Sequence, residues 1–278
     1  MKKILSKKVI IPIFMSILVF ALVGCGKSDE DKQDKKKITI GVSVGPYNDL
    51  FNDGIRPILE KKGYEIEDVS FSEFIQSNIA LTEGQIDFNL AQHTAYLNSF
   101  NSEKKSELVP IVHIPTVPAG IFSNKYNSID ELKNGAIVAI PKDPSNAGRA
   151  FNVLKKAGWI KLKEGIDPVK ATINDVIDNP HNIDIRLMDS TQIPRAMDDI
   201  DFGVLPGSIV YEARIDPSKS LLAEDVISDL EITVVVDKKN KDTQWAKDIV
   251  EAYKSDEFKK YLEENNKNNY WQIPEDLK

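Results

Sequence analysis

Ala136-Ile137-Val138-Ala139-Ile140-Pro141-Lys142-Asp143-Pro144-Ser145-Asn146-Ala147-Gly148-Arg149 changes character halfway along. Ala136 to Ile140 is an apolar run of strand length, bounded by Gly135 and Pro141. Asp143-Pro144 then opens a helix that runs through Ala157, because proline suits the first helical position, where its missing N–H has no partner to lose. The N–H groups of Ser145, Asn146 and Ala147 are then expected to be free at a helix start that attracts anions. Arg149 follows within about a turn and can offer a two-pronged guanidinium to a carboxylate. Gly148 is expected to let a ligand or an opposing surface approach the backbone.

The same alternation extends outward in both directions. Towards the N-terminus, strands are expected at Ile38–Val44, Tyr64–Phe71, Ile86–Leu90, Val109–His113 and Gly120–Ser123. Helices are expected at Asn48–Lys62, Phe74–Glu83 and Thr94–Ser102, the first two stopped by Gly63 and Gly84. Ser128-Ile129-Asp130-Glu131 reads as a capping box on a helix of one or two turns. Towards the C-terminus, Ile183–Met188, Phe202–Leu205 and Leu230–Val236 read as strands and Thr243–Asn265 as long helices. The chain is an α/β protein. Its length lies where single cores stop growing, so two lobes with a cleft between them are expected, and clefts of that kind hold small ligands.

The first 24 residues carry Lys2, Lys3, Lys7 and Lys8 and then an apolar run from Val9 to Val23 that is too short to span a bilayer comfortably. Leu22-Val23-Gly24-Cys25 resembles the bacterial lipobox, in which a signal peptidase cuts before a diacylglycerol-modified cysteine. Cys25 is the single cysteine of the chain and is thereby assigned to lipidation. Gly26 to Lys37 has no residue fit for a core and reads as a tether. The net charge of −7 over 278 residues becomes −11 once the four lysines of the signal are removed, which argues against nucleic acid as a partner. Three separated histidines, His93, His113 and His181, provide no metal motif, so neither a metal nor a cofactor is expected. Gly-x-x-x-x-Gly-Lys-[Ser/Thr] is missing, so an ATPase is not expected, and with Cys25 lipidated and no metal motif present a secreted hydrolase is not expected either.

Four motifs in order carry a resemblance: Ile40-Gly41-Val42-Ser43-Val44-Gly45, Phe88-Asn89-Leu90-Ala91-Gln92-His93-Thr94-Ala95-Tyr96-Leu97, the stretch from Ala139 to Arg149, and Gln192-Ile193-Pro194-Arg195. Together they resemble the NlpA lipoprotein family, whose best-known members are methionine-binding lipoproteins of ABC importers. The resemblance implies an α/β, two-lobed type II periplasmic-binding-protein-like fold with mixed sheets flanked by helices and two crossovers, without catalysis. The implied organisation is a signal peptide at 1–24, a lipidated tether at 25–37, one lobe at 38–120 and 230–278, and the other at 121–229.

The function implied is capture of methionine, or of a related carboxylate-bearing amino acid or peptide, for an ABC permease and its ATPase subunit. The chain is expected on the extracytoplasmic face of the cell membrane, held there by its lipid. A surface adhesin or sensor without a transport partner is the alternative. His93 and Tyr96, three apart at a strand-to-helix junction, can face the same side. The resemblance places them in an aromatic wall around the ligand side chain, with Phe74 beside them, while Asn146 and Arg149 face the ligand from the other lobe. Relatives usually have an aromatic at Ala91 and asparagines near Pro206 and Ile232 that hold the ligand's ammonium. Glu231, Asp201, Ser208 and Asp229 are the substitute acceptors the sequence offers.

Overall fold

Ile232 to Val236 is apolar but for Thr233, the composition of a strand covered on both faces. In the structure, a computed structural model that describes residues 35–267 and 270–278, it sits between two other strands of a sheet. The expected signal peptide, Cys25 and the tether as far as residue 34 lie outside the described residues. The first half holds β1 (Lys37–Val42), α1 (Pro46–Leu50), α2 (Arg56–Lys61), β2 (Glu65–Ser70), α3 (Phe74–Thr82), β3 (Phe88–His93), α4 (Thr94–Lys104) and β4 (Leu108–His113). Next come β5 (Gly120–Phe122), β6 (Ile137–Pro141), α5 (Pro144–Lys156), β7 (Lys161–Leu162), β8 (Val176–Asp178), β9 (Asp184–Met188), β10 (Phe202–Leu205), α6 (Gly207–Glu212) and β11 (Leu222–Ala223). The chain closes with β12 (Ile232–Asp237), α7 (Gln244–Lys254) and α8 (Asp256–Asn265).

Among the described residues there are two five-stranded sheets, ordered β2-β1-β3-β12-β4 and β11-β5-β10-β6-β9. Both are mixed. In the first, β1 runs parallel to β2 and β3 while β12 is antiparallel to β3 and β4. In the second, β6 is parallel to β9 and β10, and β5 is antiparallel to β10 and β11. Each sheet has a core of its own, with Ile38, Ile40, Phe51, Phe88 and Val234 in one and Val138, Ile140, Phe151, Leu154 and Phe202 in the other. This is the two-lobed α/β fold, with mixed sheets flanked by helices, that the sequence implied.

The chain crosses between the sheets at residues 114–119 and again at 224–231. The crossovers are bonded to each other, Glu224 N donating to Ala119 O at 2.9 Å. Ile232 N donates to Thr116 Oγ1 at 2.8 Å just beyond. Away from the crossovers, the Tyr211 hydroxyl on α6 donates to an Asp49 oxygen on α1, a second tie between the lobes.

Local departures from expectation have local causes. The helix expected at Asn48–Lys62 starts at Pro46 and passes through a π-helical turn, Phe51–Ile55, before α2. Pro57 has no N–H for a carbonyl four residues back, and the wider turn ahead of it absorbs the mismatch. β3 extends to His93 rather than stopping at Leu90, because Gln92, polar by composition, is buried in a closed set of side-chain bonds. Asn78 and Gln92 exchange amide bonds at 2.8 Å, and Asn89 donates to Asn78 at 2.8 Å and to Ser77 at 3.1 Å. These bonds clamp α3, which starts at Phe74, onto β3, which ends at His93. The C-terminal helix divides at Ser255, whose hydroxyl accepts from Phe258 N at 3.2 Å to cap α8. At Ser128 the helix is a single 3₁₀ turn, Ile129–Glu131.

Candidate ligand-binding site

α5 begins as its sequence requires, with Pro144 in the first turn, Lys155 and Lys156 in the last, and Ala147, Ala150, Phe151 and Leu154 buried one helical face apart. Its N-terminus differs from the expected open anion site. The Asp143 carboxylate caps the helix itself, accepting from Asn146 N at 3.0 Å, and it also accepts from the Asn146 side chain at 3.1 and 3.2 Å. A carboxylate already present at the positive end of the helix removes the attraction for a second anion. Gly148 likewise serves the lobe's own packing rather than a ligand or the facing lobe. A Cβ there would meet Val169 C and O at 2.7 Å, backbone that cannot swing aside. Gly148→Ala is therefore expected to destabilise the protein by about 1–3 kcal/mol in urea denaturation, the usual cost of overpacking.

His93 ends β3 and caps α4, its Nδ1 accepting from Tyr96 N at 3.1 Å. The ring hydrogen therefore sits on Nε2, which donates across the lobe junction to Asn146 Oδ1 at 3.2 Å. Burial, reinforced by the Arg149 charge, pushes His93 down to about 3, so the ring is neutral at physiological pH. Tyr96 stands edge-on to His93 with ring centroids 6.4 Å apart, and Phe74 edge-on to Tyr96 at 6.1 Å. Phe74 is only half-buried and belongs to none of the buried clusters, so it packs with this aromatic group rather than in the core of α3. The structure thus brings His93, Tyr96 and Phe74 from one lobe to Asn146 from the other.

Arg149 lies one helical turn beyond Asn146 and does not stand free for an incoming carboxylate. Its Nε donates to the two Glu224 oxygens at 2.9 and 2.7 Å, and its Nη2 donates to Oε1. Both side chains are 4% exposed. Burial disfavours the charged guanidinium, but the Glu224 charge and its hydrogen bonds outweigh that and raise the Arg149 pKa. Glu224 Oε1 also accepts from Ala119 N at 2.7 Å, which ties the pair to the first crossover. Tyr47 is buried nearby, its hydroxyl accepting from Val117 N at 3.3 Å.

Arg149 and Glu224 form part of the wall of a half-open cavity of about 330 Å³, with Val153, Pro168, Ile227 and Leu230 among its apolar lining. His93, Tyr96, Phe74 and Asn146 do not line it, so the five expected residues meet at one junction but on more than one surface. Of the acids offered as ammonium acceptors, Glu231 pairs with His113 at 3.1 Å, Asp201 accepts from Ile137 N at 2.8 Å, and Asp229 is exposed. Ser208 on α6 is half-buried. The acid that reaches the site is Glu224, which no local pattern marks, because its partner is 75 residues away in sequence.

Comparison with known proteins accords with the fold. The NlpA lipoprotein family model matches residues 38–274. The D-methionine-binding lipoprotein MetQ of Escherichia coli O157:H7 is 35% identical over 240 residues, 85% of this chain and 87% of that protein. A solved methionine-binding protein, MetQ, is similar at a TM-score of 0.78 and 33% identity, covering 87% of this chain and 99% of the other. A nutrient-binding protein from Burkholderia cenocepacia bound to methionine has a TM-score of 0.78 at 31% identity, covering 85% and 99%.

Proposed function

The chain belongs to the NlpA lipoprotein family, and from that premise we propose that it captures methionine or a closely related amino acid between its lobes and passes it to an ABC importer. It is a binding protein rather than an enzyme, as its relatives are. In this reading the lobes are residues 38–120 with 230–278, and 121–229. Cys25 carries the lipid, and the two lobes face the extracytoplasmic side of the membrane. The permease and its ATPase subunit are the partners, since the chain has no nucleotide-binding loop of its own.

One observation carries the reading. In a chain similar to a methionine-bound structure over 85% of its length, a neutral His93 at the end of β3 and Asn146 on α5 are within 3.2 Å, beside a buried arginine. Hinged closure of two lobes on a solute brings such groups together. Arg149 and Asn146 are assigned to the ligand's polar head, and His93, Tyr96 and Phe74 to the wall that encloses it.

Calorimetric titration of the delipidated protein tests the ligand. Methionine is expected to bind one to one with a Kd near or below about 1 μM, or roughly −8 kcal/mol. No heat with methionine, other amino acids or methionyl dipeptides would overturn it. Uptake of labelled methionine by cells carrying Cys25→Ser tests the anchor and the importer together, and a clear loss of uptake is expected.

A further inference from the structure

Tyr211 and Asp49 are 162 residues apart in sequence, yet they are joined between the two halves of the molecule. Tyr211 lies on α6, which follows β10 of one sheet, and Asp49 on α1, which follows β1 of the other. The Tyr211 hydroxyl donates to Asp49 Oδ2. Among the described residues no cation pairs with Asp49 or with Asp53 four residues on, and no other group donates to the Asp49 carboxylate. Both acids act on the same hydroxyl. The bond to Asp49, then burial and the two negative charges, raise the Tyr211 pKa, so the group remains a donor at physiological pH.

The pair stands apart from the residues assigned to the ligand. Neither member lines the cavity of about 330 Å³, and neither bonds to His93, Asn146 or Arg149. Both helices are seated on the first crossover. A Cβ on Gly207, at the start of α6, would meet the Val117 side chain at 2.5 Å, and Tyr47 on α1 accepts from Val117 N at 3.3 Å. One turn along α6, Tyr211 adds the side-chain bond to α1. Rotation about the crossovers that parts α1 from α6 breaks this bond and leaves the Asp49 charge without a donor from the protein. Tyr211 is 38% exposed, so water replaces the lost bond and the cost is moderate. Such a contact biases the lobes towards one arrangement without locking them in it.

We propose that Tyr211 is a positioning residue for ligand retention: its hydroxyl, bonded to Asp49, holds the lobes closed and so sets how long the ligand stays, without touching the ligand. The proposal rests on the amino-acid reading above and adds the group that times release. It is tested by stopped-flow dissociation of methionine from the delipidated protein. Tyr211→Phe keeps the ring and removes only the hydroxyl, and is expected to speed dissociation by about 3- to 10-fold. Asp49→Ala is expected to do the same, and the double variant no more than either alone, since one bond is lost in each case. Asp49→Asn keeps an acceptor oxygen and is expected to fall between wild type and Asp49→Ala. Thermal melts establish folding, and if one single variant does not melt cooperatively the other carries the test. Unchanged dissociation in a folded variant, or single effects that multiply in the double variant, overturns the role of Tyr211 and leaves the amino-acid reading standing. A wild-type protein that binds neither methionine nor any other free amino acid overturns that reading instead. The bond is then tested in the ligand-free protein by energy transfer between fluorescent labels on the two lobes. Tyr211→Phe is expected to lengthen the distance between them, and an unchanged distance overturns the proposal.

Discussion

Arg149→Ala is expected to destabilise the protein by about 3–5 kcal/mol, because it leaves the Glu224 carboxylate buried without its counter-charge. The loss is separate from any loss of ligand affinity and is read from urea unfolding of the ligand-free protein. Arg149→Met combined with Glu224→Leu removes both charges, and stability is expected to return to near wild type or above it while amino-acid binding is abolished. A single variant as stable as wild type would show that Glu224 is solvated without Arg149, and the pair would then not be a tie between α5 and the crossovers. Binding assays on Arg149 variants therefore need a folding control.

Acid is expected to loosen the protein through His93. The group's ordinary pKa of 6.5 applies to the unfolded chain, while burial and the Arg149 charge push it to about 3 in the folded protein. Between those values the unfolded chain holds a proton that the folded one lacks, so stability falls as pH drops through the window and is unaffected by His93 above it. The slope approaches about 1.4 kcal/mol per pH unit. His93→Gln, which cannot titrate, is expected to remove that component. Urea unfolding of both proteins from about pH 7 to pH 4 is the check, and parallel curves would show that His93 is not held neutral. Protonation would also take away the Nδ1 lone pair that accepts from Tyr96 N, so the cap of α4 and the junction with Asn146 weaken together.

The architecture was largely legible because strands buried on both faces and helices stopped by glycine carry their signals within ten or so residues. β6 with α5, and β12, stand where their apolar runs place them. Boundaries failed where a polar residue was buried with a partner, as Gln92 is at the end of β3. The motif residues His93, Tyr96, Asn146 and Arg149 do come together, and so does Phe74. Their chemistry was only half visible: Asp143 caps the helix that an anion was expected to reach, Gly148 makes room for Val169, and Glu224 occupies the side of Arg149 that a ligand was expected to find free.

The sequence by itself determined a two-lobed α/β chain of the NlpA lipoprotein family, because periodicity, helix stops and ordered motifs are local properties of the chain. Only the tertiary structure decided the electrostatic state of the site. The charge on Arg149, the neutrality of His93 and the pairing of Glu224 depend on burial and on partners 53 to 75 residues apart, and nothing in a local pattern encodes those distances.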